Sequence, residues 1–144
     1  MPHVRTQLRN AVRTRLSTVP SIKGAHNMTR HERKFQPDNF PAAFVAIAEE
    51  ATPSPGSRYK IAVQVAVESN TGDAEDVIDA VCVDIEKALV KPDLGIGKIT
   101  NWGYAGTTSI DAQPTEDGLL LVETLHYSCD IQTLDSSPDR NLHP

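Results

Sequence analysis

The sequence predicts an α+β fold: a mixed or antiparallel sheet of four or more strands, with two main helices packed on one of its faces. Three observations carry this. Residues 3–18 and 73–90 place apolar side chains at helical spacing. Residues 58–68 and 119–131 alternate apolar and polar side chains with the period of a strand. The resulting order is helix, two strands, helix, two strands, and one sheet face can bury all the apolar stripes at once. A chain of 144 residues fits one compact domain, placed at 1–132 and followed by a flexible tail over 133–144.

The first helix, over 3–18, has Val4, Leu8, Val12 and Leu16 on one stripe, with Ala11 beside it. Arg5, Arg9 and Arg13 succeed one another at i+4 along the stripe's edge and form a basic rail. Arg15 points into the stripe itself, in the last turn, where a cation suits the helix dipole and its stem can cover apolar surface. "TVPS" ends the helix because Pro20 restricts the residue before it. Residues 21–40 read as a long, polar, basic connection containing His26 and His31.

"FQPDNFPAAFVAIAEE" (35–50) then launches the sheet. Pro41 stands at a strand start, where its missing N–H is tolerated. Ala42–Ala48 is a continuous apolar run suited to a buried strand, and Glu49-Glu50 end it in solvent. "ATPSPGS" (51–57) is a Pro/Gly/Ser loop. Along 58–68, Tyr59, Ile61, Val63, Val65 and Val67 share one face, so the first two strands form a hairpin.

The second helix, 73–90, begins at Asp73, a plausible N-cap. Ala74, Val77, Ile78, Val81, Cys82, Ile85, Ala88 and Leu89 span about 140° of its circumference. Glu75, Asp76, Asp79 and Glu86 crowd the other side, and Lys91-Pro92 closes it. Ile99–Tyr104 is a short strand interrupted by Gly103, and 105–118 is a polar loop. In the last strand, Leu119, Leu121, Leu125, Tyr127, Cys129 and Ile131 share one face, and His126 lies on the polar one.

Charge is unevenly placed. Residues 1–35 hold eight Lys/Arg against Glu32 alone, a net +7, while the remainder carries −12, together the chain's −5. An overall acidic chain is the wrong sign for a dedicated duplex binder. A charge-split protomer suits head-to-tail packing, with the basic part of one copy against the acidic part of the next.

Chemistry is sparse. GxSxG, phosphate-loop and dinucleotide patterns are missing, and "GIGKIT" (95–100) reads as a turn before a strand. Cys82 and Cys129 lack metal-ligand spacing and read as two reduced, half-buried thiols. Neither a metal site nor a cofactor site is assigned. A small metal-dependent hydrolase would need His26, His31 and an acid such as Glu32 to converge. Non-specific duplex contact through the basic rail is a third possibility, without a recognition motif. No apolar run reaches the roughly 20 residues of a membrane helix, and the N-terminus lacks the apolar core of a signal peptide.

Several stretches, in order along nearly the whole chain, resemble the tail terminator proteins of long-tailed phages, the U-type minor tail proteins of lambda-like siphophages. "LRNAV" (8–12) is similar to the family's Leu-Arg-x-Ala-Val in the first helix. "FQPDNFPA" (35–42) is similar to its Phe, acidic turn and Phe-Pro-Ala strand entry. "EDGLLLVETLHYSCDI" (116–131) is similar to its closing strand, and the acid-rich helix matches in place and type. Residues 23–34 and those after 132 depart from the pattern. The resemblance implies a homohexameric ring that caps the growing tail tube, ends polymerisation and presents the head–tail joining surface. Its partners would be further copies of itself, the major tail tube protein and the head–neck connector. Genomic DNA would pass through unread, in a virion tail assembled in the host cytoplasm. No catalysis is implied. On this reading Arg5, Arg9 and Arg13 meet Glu75, Asp76, Asp79 and Glu86 of the next subunit. A neck or tail-completion adaptor of similar size and fold is the alternative.

Overall fold

The computed structural model describes residues 2–26, 41–51, 56–69, 73–90, 93–115, 118–133 and 137–143. Two α-helices pack on one face of a five-stranded sheet. In chain order the elements are α1 (Val4–Leu16), β1 (Gly24–His26), β2 (Ala42–Ala51), β3 (Ser57–Ser69), α2 (Ala74–Ala88), β4 (Thr100–Thr115) and β5 (Gly118–Ile131). The strands lie in the order β1-β2-β3-β5-β4. All neighbours are antiparallel except β1 and β2, which run parallel.

Helix α1 begins at His3, whose Nδ1 accepts the Arg5 N–H at 2.9 Å and so meets one of the orphan donors of the first turn. Its four stripe residues Val4, Leu8, Val12 and Leu16 are all buried. The odd-numbered residues of β3 face them across the core: Tyr59, Ile61, Val63, Val65 and Val67 are buried in one cluster with Leu121, Leu125, Tyr127, Cys129 and Ile131 of β5. Helix α2 adds Ile78, Val81, Cys82, Ile85 and Leu89. Each fully buried Leu or Ile contributes roughly 1.5–3 kcal/mol of transfer free energy. The opposite sheet face carries a smaller cluster of Ala42, Phe44, Ala66 and Leu120. The apolar run of β2 is thereby explained over its first half, where Ala42, Ala43, Phe44 and Val45 are buried on both faces, whereas Ala46 and Ala48 further on are exposed.

Two segments differ from the sequence expectation. Residues 105–115 continue β4 as a full strand against β5 instead of looping out. β4 is an outer strand with one neighbour, and its pairing is broken by register shifts between Thr100/Gly103, Tyr104/Gly106 and Thr108/Asp111. Bulges of this kind scramble inward and outward positions, so no period-2 pattern survives to be read. The second segment is β1, inside the stretch read as connection; Gly24–His26 pairs with Ala42–Phe44, and Lys23 N–H donates to the Pro41 carbonyl at 2.8 Å.

At α2, Asp73 occupies the N-cap position, but its side chain makes no capping hydrogen bond. Lys91-Pro92 lies outside the described residues, as do 52–55 of the Pro/Gly/Ser loop and 27–40 of the basic connection. In the C-terminal stretch read as a tail, Asn141 Nδ2 donates to the carbonyls of Ile96 and Lys98 at 3.1 and 3.0 Å. Lys98 N–H donates to the His143 carbonyl at 2.7 Å, and Val4 N–H to that of Pro138 at 3.0 Å.

Candidate functional site

The basic rail runs along the flank of α1 that faces away from α2. Helix α1 packs over β2 and β1, and Arg5 Nη1 reaches Glu49 Oε2 of β2 at 3.6 Å. The other flank, with Asn10, Ala11 and Thr14, borders a groove shared with Leu94 and Ile96. Arg9 is half-buried, and its Nε is shielded from solvent without a hydrogen-bond partner. Arg13 is half-buried one turn further on. Arg15 departs from its expected place in the stripe. It is exposed, and its Nε donates to the Ala88 carbonyl at 3.1 Å, satisfying a last-turn acceptor of α2 and tying the helix ends together.

The acids of α2 divide. Glu75, Asp76 and Asp79 are exposed, but Glu86 is half-buried rather than fully outward. Asp79 and Glu86 lie on the flank turned toward β5, where they act on a residue the sequence reading passed over, Glu123. Glu123 occupies a helix-facing odd position between Leu121 and Leu125, and the Cys82 thiol donates to its Oε2 at 3.8 Å. Burial first, and the Asp79 charge next, raise the Glu123 carboxyl above its ordinary value; the Cys82 contact opposes them and Glu86 adds to them. The Cys82 thiol is itself pushed up to about 12 by burial, then by Glu123, Glu86 and Asp79. An acid interrupting an apolar alternation was the signal available in the sequence.

Beside this group stands Tyr127, only 3% exposed. Its ring stacks on Trp102 at 5.5 Å and meets Tyr104 edge-on at 5.5 Å. Trp102 is fixed in turn by its Nε1–H, which donates to the Leu89 carbonyl at 2.6 Å. The Tyr127 hydroxyl is buried without a hydrogen-bond partner. Burial raises its pKa, and the carboxylate acting on it most strongly is that of Glu86. Two apolar side chains remain open to solvent nearby, Val83 at 47% and Tyr104 at 50%. On the opposite flank of α2, Asp84 is occupied by Ser21, whose Oγ donates to it at 2.8 Å.

The structure therefore places the sequence-predicted interface residues on opposite sides of the helical layer. Arg5 pairs with Glu49, not with an α2 acid. Among the described residues, no three or more His, Cys, Asp or Glu side chains sit where they could hold a metal ion. His31, Glu32 and the His26 side chain lie outside the described residues. "GIGKIT" is a turn followed by β4; its Gly95 N–H is already donated to Asp93 Oδ1 at 3.1 Å. The groove beside it, of 560 Å³, is lined by Gln7, Gly95, Ile96, Gly97 and residues 139–141. Both cysteines are free and buried. No helix among the described residues is long and apolar enough to cross a membrane.

Fold and site together define an α+β domain whose charges are parted to two flanks. No protein-family model matches the chain, and no curated protein does. Among solved structures it is similar to a chain described as "Virion of native gene transfer agent (GTA) particle", with 14% identity and a TM-score of 0.52, covering 91% of this chain and 92% of that one. At this identity the likeness is one of fold.

Proposed function

We propose that this protein is a structural component of a virion that works as a ring at the end of a phage tail tube, ending polymerisation and offering the surface to which the head joins. The observation that carries the reading is the fold likeness to a virion chain, which spans nine-tenths of both chains. The ordered resemblances at 8–12, 35–42 and 116–131 to tail terminators point the same way. The parted charges supply a means of lateral contact: Arg5, Arg9 and Arg13 of one copy against Glu75, Asp76, Asp79 and Glu86 of the next, closing as a hexamer. Its further partners would be the major tail tube protein and the head–neck connector, with DNA passing through the hole. A neck or tail-completion adaptor is the second reading, because the similar chain is described by its virion and not by a place in a tail. Electron microscopy of particles made with and without the protein tests the first. Overlong tubes in its absence support a terminator; tubes of normal length that lack heads point to the adaptor, and normal particles refute both.

A further inference from the structure

The two margins of the sheet differ. β4 forms one of them, and register shifts interrupt its pairing. The other margin is made by β1 and β2 together. β1 pairs only with residues 42–44, whereas β2 runs on to Ala51. Over residues 45–50, β2 is paired with β3 on one side, and among the described residues nothing pairs with it on the other. Its register against β3 is unbroken there, from Val45↔Val63 to Glu50↔Arg58. In an antiparallel pair every second residue turns its N–H and C=O away from the partner strand. Residues 45–50 are thus a regular edge whose outward backbone groups are unanswered by the described residues, with neither a bulge nor a proline to blunt it. Ala46 and Ala48, small and exposed, leave the approach to it clear.

We propose that the edge of β2 over residues 45–50 takes an added strand: an extended segment of another protein, carrying carboxylates at alternate positions. Main-chain hydrogen bonds give such a contact its affinity, and side chains at every second position give it specificity. The charge of the occupant follows from what stands over the edge. α1 packs over β2 and β1, while α2 packs over β3 and β5. The rail of Arg5, Arg9 and Arg13 is on the flank of α1 away from α2, and so at this margin. Side chains of an added strand alternate between the two sheet faces. Those on the helical side meet the rail and suit Asp or Glu; those on the other side pass Ala46 and Ala48 and suit Thr or Val. The acids of β2 itself are already answered. Glu49 accepts from Ser57 Oγ at 2.6 Å and lies 3.6 Å from Arg5 Nη1, and Glu50 Oε1 lies 2.9 Å from Lys60 Nζ. A second copy is the wrong occupant. Two copies joined through β2 would bring two basic rails together, and the interrupted β4 of a neighbour is a poor match for a regular edge. The edge exists in a single copy, so the inference goes beyond the ring proposed above and does not depend on it.

Titration of the full chain with the blocked peptide TEVEVET, followed by calorimetry and by amide hydrogen exchange, provides the test. This peptide should bind about tenfold or more tightly than its basic counterpart TKVKVKT, and the preference should shrink as salt is raised. Every second amide of residues 45–50 should exchange readily in the free protein and slow on binding, with the amides of β4 unchanged. Two further peptides, N-methylated at the glutamates or at the valines, keep the charge but lose alternate donors; at least one should bind about tenfold or more weakly than the parent. Arg9→Glu should remove the preference for the acidic peptide. Circular dichroism checks that the variant is folded, and Arg9→Gln takes its place if it is not. Absence of binding at millimolar peptide, equal binding of acidic and basic peptides, or full binding by both methylated peptides overturns the proposal. So does protection of every amide of 45–50 in the free protein, which would place a segment of this chain on the edge, or a dimer that protects them, which would place a second copy there. Tube length judges the terminator separately. Overlong tubes in the protein's absence, together with no peptide binding, would leave the terminator standing without this edge; peptide binding together with normal particles would do the reverse.

Discussion

Replacing Tyr127 with phenylalanine removes one oxygen and leaves the ring contacts with Trp102 and Tyr104 in place. In most proteins a buried Tyr→Phe change costs stability because a hydrogen bond is lost. Here the hydroxyl is buried with no partner, so the isolated chain loses no bond and is relieved of a desolvated polar group. The relief is about 1–3 kcal/mol. At about 2.1 cal/mol/K per residue, a chain of 144 residues has an unfolding entropy near 0.3 kcal/mol/K, so each kcal/mol moves the midpoint by about 3 °C. The variant should therefore melt about 3–10 °C above wild type. Differential scanning calorimetry at neutral pH, at concentrations where both proteins are monomeric, measures this directly. A midpoint lower than that of wild type would mean that the hydroxyl has a partner inside the chain, and the reasoning from an unpartnered buried group would fail.

The Glu123 carboxyl is raised by burial and by Asp79 and Glu86, with the Cys82 thiol also facing it. Its favourable contribution is complete below the unfolded value and lost as pH rises through the folded one. Glu123→Gln should thus stabilise the chain at pH 7 and have little effect at about pH 4; urea unfolding at the two pH values checks this, and a larger gain at the lower pH would contradict it. Cys82 and Cys129 are both buried with thiols pushed up to about 12, so a thiol reagent at pH 8 should label neither in the native protein and both in denaturant. Gly56 has φ +140°, and a Cβ there would lie 2.9 Å from the Ile131 carbonyl oxygen. Gly56→Ala should cost about 1–3 kcal/mol, read as a lower urea midpoint with unchanged slope.

Much of the fold is legible because packing agrees with local pattern. Val4, Leu8, Val12 and Leu16 announce the buried stripe of α1, and Tyr59 to Val67 announce the inner face of β3. Helix α2 is likewise visible from Ile78, Val81, Cys82, Ile85 and Leu89. What escaped has a common cause: its structure is dictated by a distant partner. The three residues of β1 are a strand only because Ala42–Phe44 lies alongside them. β4 takes its register from β5 while its own alternation is broken by bulges. The site divides in the same way. The charges on α1 and α2 are plain in composition, but their assignment to opposite flanks follows from how both helices sit on the sheet. Glu123 became part of the site only through the packing of α2 over β5.

The geometry of the sheet margin also bears on how copies of this chain meet. An open outer strand invites pairing with any other strand, and natural sheets suppress this with bulges, prolines and twist. β4 has three interruptions of register, a positive φ of 55° at Asn101, and Pro114 near its end. Such a strand is a poor template for backbone pairing, so growth of the sheet from copy to copy is disfavoured there. Side-chain flanks on the helical layer then become the better route to association. They are selective where a strand edge is not, because an acidic flank accepts a basic one and rejects another acidic flank. A protein proposed to stop a polymer needs that distinction: it must accept its own neighbours sideways while its β4 margin discourages the sheet from continuing.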